Sequence, residues 1–282
     1  MFRWPVLRLL LFLALLMALS CARPPATRWR PLQSEPQVRI GLLVRQSEAQ
    51  LVLQGDHQLH ASGQEPIQMR SGVLHVAIAD STIQLRLPDG SQVRSASGFE
   101  VHPLVREARF QLEEHSYRGS ARLVLEDGKL TVINVLPLEM YLRGVVPWEI
   151  GWRQEAEHSA VEAQAIAART YACKRLGQYE EDGYDLLPNV QDQVYRGTTR
   201  EDSTANRAIA RTRGIVLNAD AILIEAYYSS TCGGHTSRIE EVWDKPAETY
   251  LVGGLDRPAE GGGAFCSASK HFRWTCLLYT SP

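Results

Sequence analysis

Glu149 is the residue of this chain best placed to do acid–base chemistry. It closes the run Leu138-Glu139-Met140-Tyr141-Leu142-Arg143-Gly144-Val145-Val146-Pro147-Trp148-Glu149, where an apolar stretch meets a break at Gly151. Trp148 precedes it and Trp152 follows three residues on. A carboxyl group set against indole loses hydration, which disfavours its charged form and raises its pKa. An acid that stays neutral near working pH can protonate a leaving oxygen, as glycosidic-bond cleavage requires. Without further signals, a lone Glu here reads as a surface residue capping the next helix. A second group of polar residues lies further on: Tyr227, Tyr228, Ser229, Ser230 and Thr231, beside Gly233-Gly234 and His235. Exposed hydroxyls and close backbone approach at glycine suit sugar recognition, although the same composition describes an ordinary turn.

The elements around these residues change texture along the chain. From Val38 the pattern alternates, in Val38–Val44, Ile83–Leu87 and Ala121–Leu125, as half-buried strands do. Pro88-Asp89-Gly90 and Glu126-Asp127-Gly128 carry tight-turn chemistry, and the second predicts a hairpin of Gly119–Leu125 with Lys129–Val135. Near Pro137 the pattern becomes helical. A short helix is expected from Leu138 to about Val145, with Pro137 suited to its first turn. A long alanine-rich helix is expected from Glu155 to Leu176, small-sided on several faces and therefore central. Its polar members Gln164, Arg169 and Thr170 need partners if buried. A third helix is expected over Ser203–Arg213, capped by Ser203 and stopped by Gly214. A hairpin of Ile215–Leu217 and Ile222–Ala226 follows. The expected class is α+β: a β-rich N-terminal region over 37–135, serving as scaffold or glycan-contacting accessory, and a mixed α/β region over 136–275 with a central alanine-rich helix.

Composition sets outer bounds. With 282 residues, 44% of them hydrophobic and 22% charged, the chain is ordinary for a globular protein. A formal net charge of -2 argues against a nucleic-acid partner, which would favour a basic surplus. Arg3 and Arg8 precede an apolar run from Leu9 to Leu19, the length of a signal-peptide core, so residues 1–20 read as an export signal. Cys21 follows as a candidate lipidation site, which would anchor the protein to a membrane facing the periplasm or cell wall; simple cleavage and secretion is the alternative. Residues 21–36, with Pro24, Pro25, Pro31 and Pro36, read as a tether. Residues 276–282 break the local pattern and read as a non-native tail. Export permits disulfides, and loop residues Cys232 and Cys266 could form one, while Cys173 reads as a buried, inert thiol. A cysteine hydrolase built on Cys232 and His235 is disfavoured, because groups three residues apart rarely form a nucleophile–base pair.

Taken together, four ordered blocks resemble the sporulation stage II D protein family, which includes the amidase-enhancer proteins. They are Leu138–Glu149, Ala163–Ala172, Tyr184–Gly197 and Tyr227–Thr236, with Val242-Trp243, Cys266–Ser269 and Arg273-Trp274 continuing the agreement. The resemblance implies lytic transglycosylase activity on peptidoglycan, preferably on glycan lacking stem peptides, cutting between N-acetylmuramic acid and N-acetylglucosamine to give 1,6-anhydro products. It implies that the region over 136–275 is catalytic and holds a glycan-binding cleft, and that Glu149 is the single acid and base. Arg169, Gln193 and Tyr195 are then expected to orient Glu149 or bind glycan, with Arg169 alternatively an ion-pair partner of Asp185 or Glu162. Tyr227, Tyr228, Ser229, Ser230 and His235 are expected at the substrate. The family often has His where Tyr228 stands, so any role for that imidazole is missing. Some members hold zinc in the third block. Leu187, Gln191 and Asp192 occupy those places here, so neither metal nor cofactor is expected. The alternative is a non-catalytic glycan-binding protein that recruits or enhances a cell-wall amidase. The family name does not imply sporulation.

Overall fold

The computed structural model describes residues 34–273. The expected signal, Cys21, most of the tether, Trp274 and the tail with Cys276 lie outside the described residues.

Twelve strands come first: β1 (Gln37–Gln46), β2 (Glu48–Gln54), β3 (His57–His60), β4 (Ile67–Met69), β5 (Gly72–Ala79), β6 (Thr82–Arg86), β7 (Gln92–Ser95), β8 (Phe99–Pro103), β9 (Arg109–Leu112), β10 (His115–Tyr117), β11 (Ser120–Glu126) and β12 (Lys129–Pro137). They form two six-stranded antiparallel sheets, ordered β1-β12-β11-β8-β3-β4 and β10-β9-β2-β5-β6-β7. The two-residue period sets which side chains go inside. In the second sheet Leu51, Leu53, Leu74, Val76, Ile83 and Leu85 are buried, and they join Leu123, Val132 and Val101 of the first sheet in one core. The β11–β12 hairpin pairs Glu126 with Lys129 across Asp127 and Gly128, both at positive φ, as a tight hairpin turn demands. Strand β12 differs from the rest in being buried at consecutive positions from Leu130 to Asn134, because both its faces are covered.

The chain leaves β12 straight into α1 (Leu138–Glu149). Leu138, Tyr141, Leu142, Val145 and Val146 are buried at the i, i+3, i+4, i+7, i+8 spacing of one helix face. The first-turn amides are satisfied from the preceding chain: Leu138 N donates to the Pro36 carbonyl and Glu139 N to Glu35 Oε1. The helix runs past its expected end at Val145 and through Pro147, which lies in the last turn. Ile150 N still donates to the Val146 carbonyl, so Glu149 becomes the final helical residue. Helix α2 (His158–Arg175) packs against α1 and against α3 (Ser203–Arg211). The α3 cap is Asp202, one residue before the expected Ser203, and its carboxylate accepts from Ala205 N.

Beyond α3 regular structure is sparse. A hairpin of β13 (Asn218–Ala219) and β14 (Ile222–Leu223) is shorter than expected. Then β15 (His235–Thr236), α4 (Ile239–Val242) and β16 (Gly254–Leu255) follow. Among the described residues no helix is long and apolar enough to cross a membrane.

Candidate functional site

Three elements converge on Glu149. Helix α1 delivers the carboxyl from its last residue. The Tyr184–Gly197 segment delivers a backbone donor: Val194 N–H to Glu149 Oε1 at 2.7 Å. The segment after β14 delivers the Tyr228 hydroxyl, the carboxyl's other polar neighbour. The side chain is half-buried. Burial pushes its pKa up from the ordinary carboxylate value, and the Val194 and Tyr228 bonds partly offset that. The cause is therefore removal from water, as expected. Trp152 is 75% exposed. Trp148 instead lies under two guanidinium groups, with Arg196 and Arg200 at 4.5 and 3.9 Å from its ring centre.

The hydroxyl of Tyr228 is aimed by a relay. Tyr141 Oη donates to Gln193 Oε1 at 3.2 Å, which fixes the amide with its nitrogen outward. That Nε2 donates to the Ala168 carbonyl and, at 3.0 Å, to Tyr228 Oη. With its oxygen accepting, Tyr228 keeps its own proton for Glu149. Gln193 and Tyr141 are buried, so the relay sits in low dielectric, where a satisfied network is rigid.

The approach of the Tyr184–Gly197 segment depends on Gly144. A Cβ there would stand 2.5 Å from the Gly197 carbonyl oxygen and 2.6 Å from the Tyr195 ring. Any other residue would push the segment, and the Val194 amide with it, off the helix. Asp192 fixes the same segment from within: its carboxylate accepts from Leu187 N, Tyr171 Oη and Gln178 Nε2.

The other candidates separate into those near this group and those removed from it. Gln193 belongs to the relay. Tyr195 is a core residue: it is buried, donates to Asn134 Oδ1 at 2.8 Å, and packs on Tyr141 and Tyr117. Arg169 is 1% exposed and makes a two-pronged pair with Glu139, at 2.8 Å in both arms. Its remaining N–H groups go to Ala165, Ile209 and Ile215 carbonyls and Thr212 Oγ1. With every donor used inside the protein it has none to offer a glycan, so it is a structural residue. Its partner is Glu139, not Asp185 or Glu162; those pair with Arg39 and Arg211. Thr170 finds partners in the Ile166 carbonyl and Leu217 N, while the Gln164 amide nitrogen is buried with no partner.

Tyr227 turns away from the relay. It stacks on Trp243 at 4.7 Å between centroids, and Lys245 Nζ donates to its hydroxyl at 2.7 Å. Ser229 and Ser230 are exposed, and His235 is exposed on β15. Cys173 is partly buried on α2, with its thiol pushed up to about 11, chiefly by burial. Cys232 and Cys266 are brought together, their sulfurs 3.5 Å apart. The chain also forms a hollow of about 830 Å³ on the outer face of the second sheet, lined by Gln50, His75, Gln84 and Gln111 and by no member of the Glu149 group.

The sequence reading overlooked Val194, because a backbone donor carries no side-chain signal. It overlooked Tyr141 as the head of the relay although the residue lies in the run that ends at Glu149. It also treated Glu139 as one more letter of that run.

Residues 126–218 match the family described as SpoIID, Stage II sporulation protein. This stretch is similar to the SpoIID domain. The match covers Glu149, Gln193 and Val194 and ends before Tyr228. An uncharacterized protein of Brachyspira hyodysenteriae is 34% identical over 147 residues, 51% of this chain and 39% of that protein. The protein named Amidase enhancer in Bacillus subtilis is 37% identical over 117 residues, 41% of this chain and 15% of its own length. Stage II sporulation protein D of Bacillus subtilis is 32% identical over 123 residues, 38% of this chain and 35% of its own. The chain thus spans well under half the length of the curated relatives it matches. No solved structure matches it.

Proposed function

We propose that this chain is an exported lytic transglycosylase that cuts peptidoglycan glycan strands between N-acetylmuramic acid and N-acetylglucosamine. The observation that supports it best is a half-buried carboxyl whose pKa burial raises, set between a backbone N–H and a tyrosine hydroxyl that can hold either protonation state. Protonated Glu149 gives its proton to the bridging oxygen as the bond to C1 breaks. The resulting carboxylate takes the proton from the C6 hydroxyl, whose oxygen closes on C1 as the 1,6-anhydro ring. The proton count closes within one turnover, so one carboxyl does the work that hydrolysing enzymes divide between two. A glycan groove past Glu149, a preference for strands without stem peptides, and lipid anchoring through Cys21 belong to this proposal.

The test is mass spectrometry of products from amidase-treated glycan strands incubated with the protein alone. Wild type should release anhydro-ended fragments. Glu149→Gln should lose about 10²- to 10⁴-fold of that rate, the range of general acid–base catalysis. The variant should fold. A raised pKa means the ionised carboxyl costs stability above that pKa, so a neutral amide that keeps the Val194 bond is tolerated at pH 7. Wild-type activity should fall as pH rises through the raised pKa, because the donor is the protonated form. Full activity in Glu149→Gln would end the proposal.

A second reading rests on the relative named Amidase enhancer. In it the chain binds glycan and recruits or stimulates a separate cell-wall amidase. Glycan retention with no anhydro product, together with a faster added amidase, would favour it.

A further inference from the structure

We propose that Cys232, Asp256 and Cys266 bind one zinc ion. This site lies outside the Tyr184–Gly197 block, where a metal was considered from the sequence and set aside, and it departs from the disulfide expected for the two cysteines. The ligand atoms of the three residues all lie within 4.8 Å of one another, the one such group among the described residues. Cys232 Sγ is 3.5 Å from Cys266 Sγ and 3.2 Å from Asp256 Oδ2. Two thiolates on one zinc, with bonds of ~2.3 Å and a tetrahedral angle, stand about 3.7 Å apart, and a thiolate and a carboxylate oxygen slightly closer. The two distances from Cys232 therefore match edges of such a tetrahedron, and the Cys266 and Asp256 ligand atoms lie within 4.8 Å of each other.

Asp256 distinguishes this site from a cysteine pair. A disulfide has no use for a third group, and forming one would remove the Cys232 S–H that now donates to the carboxylate. Asp256 would then face sulfur lone pairs without a donor. A divalent cation reverses that: it draws both thiols into their thiolate forms, releases their two protons to solvent, and makes the carboxylate a ligand. Two sulfurs and one oxygen favour zinc over calcium or magnesium.

The backbone sets this geometry independently of any ion. Asp256 N donates to the Gly234 carbonyl, and Phe265 N to that of Asp256. Thr231 Oγ1 donates to Ser269 Oγ at 2.8 Å, and an Arg273 N–H to the Gly233 carbonyl. These bonds draw the loops around 232, 256 and 266 to one point. The segment also lacks an alternative means of support. From Ser229 to Arg273 only Ile239 is a buried hydrophobic residue, while Val242, Val252, Leu255 and Phe265 are exposed. Chain with so little core is commonly held by a metal or a cross-link. The ion clamps the loop that begins four residues after Tyr228, and so steadies the residue that faces Glu149.

The experiment uses the full chain, purified under inert gas without reductant or chelator. Elemental analysis should find one zinc per chain. Cobalt in its place should give thiolate-to-cobalt absorption. Cys232→Ser and Cys266→Ser should abolish binding, and Cys173→Ser should leave it intact. Asp256→Asn should weaken zinc affinity by at least about tenfold to a hundredfold, since losing a ligand costs more than losing an outer-shell partner. Where a cysteine variant does not fold, Asp256→Asn and the cobalt spectrum of the wild type decide. A linked Cys232–Cys266 peptide in protein that takes up no zinc would overturn the proposal, as would zinc binding indifferent to Asp256→Asn. None of these readouts depends on glycan cleavage, so the assignment stands or falls apart from the proposed activity.

Discussion

The β-rich region and the helical region that follows it bury different things. The two sheets bury leucine, valine, isoleucine and phenylalanine on their inner faces, with few buried polar groups among them, such as His57 and Ser95. The helical region buries an arginine, two carboxylates and a glutamine: Arg169 with Glu139, Asp185 with Arg39, and Gln193 between two tyrosines. The sheets are a packing solution that many apolar side chains would satisfy. The helical region is a hydrogen-bond solution in which Arg169, Glu139, Asp185 and Gln193 each have named partners, and loss of one strands another in low dielectric. That contrast identifies where chemistry can be held. A carboxyl with a shifted pKa needs surroundings that keep water out without leaving polar groups unpaired. The SpoIID match follows the same division, taking in only the last strand of the sheets along with helices α1 to α3.

Three changes would break or sharpen this comparison. The largest effect is expected at Arg169. Arg169→Ala leaves Glu139 charged and unpaired in the interior and should cost about 3–5 kcal/mol of stability by denaturant unfolding. Unchanged stability with weakened glycan binding would return Arg169 to the substrate and undo the structural assignment. The next is Tyr228→Phe, which removes the relay's last hydroxyl while leaving the ring. It should lower glycan cleavage about tenfold, equivalent to ~1.4 kcal/mol. Because the Tyr228 hydroxyl favours the ionised form of Glu149, its loss should also move the alkaline limb of the pH–rate profile upward. A profile that stays put would mean the hydroxyl does not reach the acid. The smallest is Gln84→Ala, on the outer face of the second sheet, which should change stability by less than about 0.5 kcal/mol and leave cleavage unchanged. A marked loss of glycan binding there would make the sheet hollow part of the substrate surface.

Much of the fold could be read from periodicity. The β11–β12 hairpin, β6, the long α2 and α3 all fall where alternation or helical spacing places them, because those patterns reflect one-sided burial within a few residues of chain. The errors lie where local signals compete with tertiary support. The first helix, expected to end near Val145, runs on through Pro147 to Glu149, because Ile150 N still bonds the Val146 carbonyl beyond the proline. Ser203 reads as a cap, yet its neighbour Asp202 does that work.

For the site, the sequence itself determined the residue types: one glutamate after an apolar helix, a glutamine, tyrosines, two loop cysteines and an arginine in an alanine-rich helix. It could not assign them partners. Which hydroxyl meets Glu149, that Arg169 is spent on Glu139, that Val194 contributes only its amide, and that Asp256 joins two cysteines were decided by the tertiary structure. The physical reason is distance along the chain. Helical and strand patterns are set by neighbours within one turn or one pleat, whereas Val194 meets Glu149 across 45 residues of sequence and Glu139 meets Arg169 across 30. Contacts of that range are fixed by the packing of whole elements, and the polarity of a single residue does not encode them.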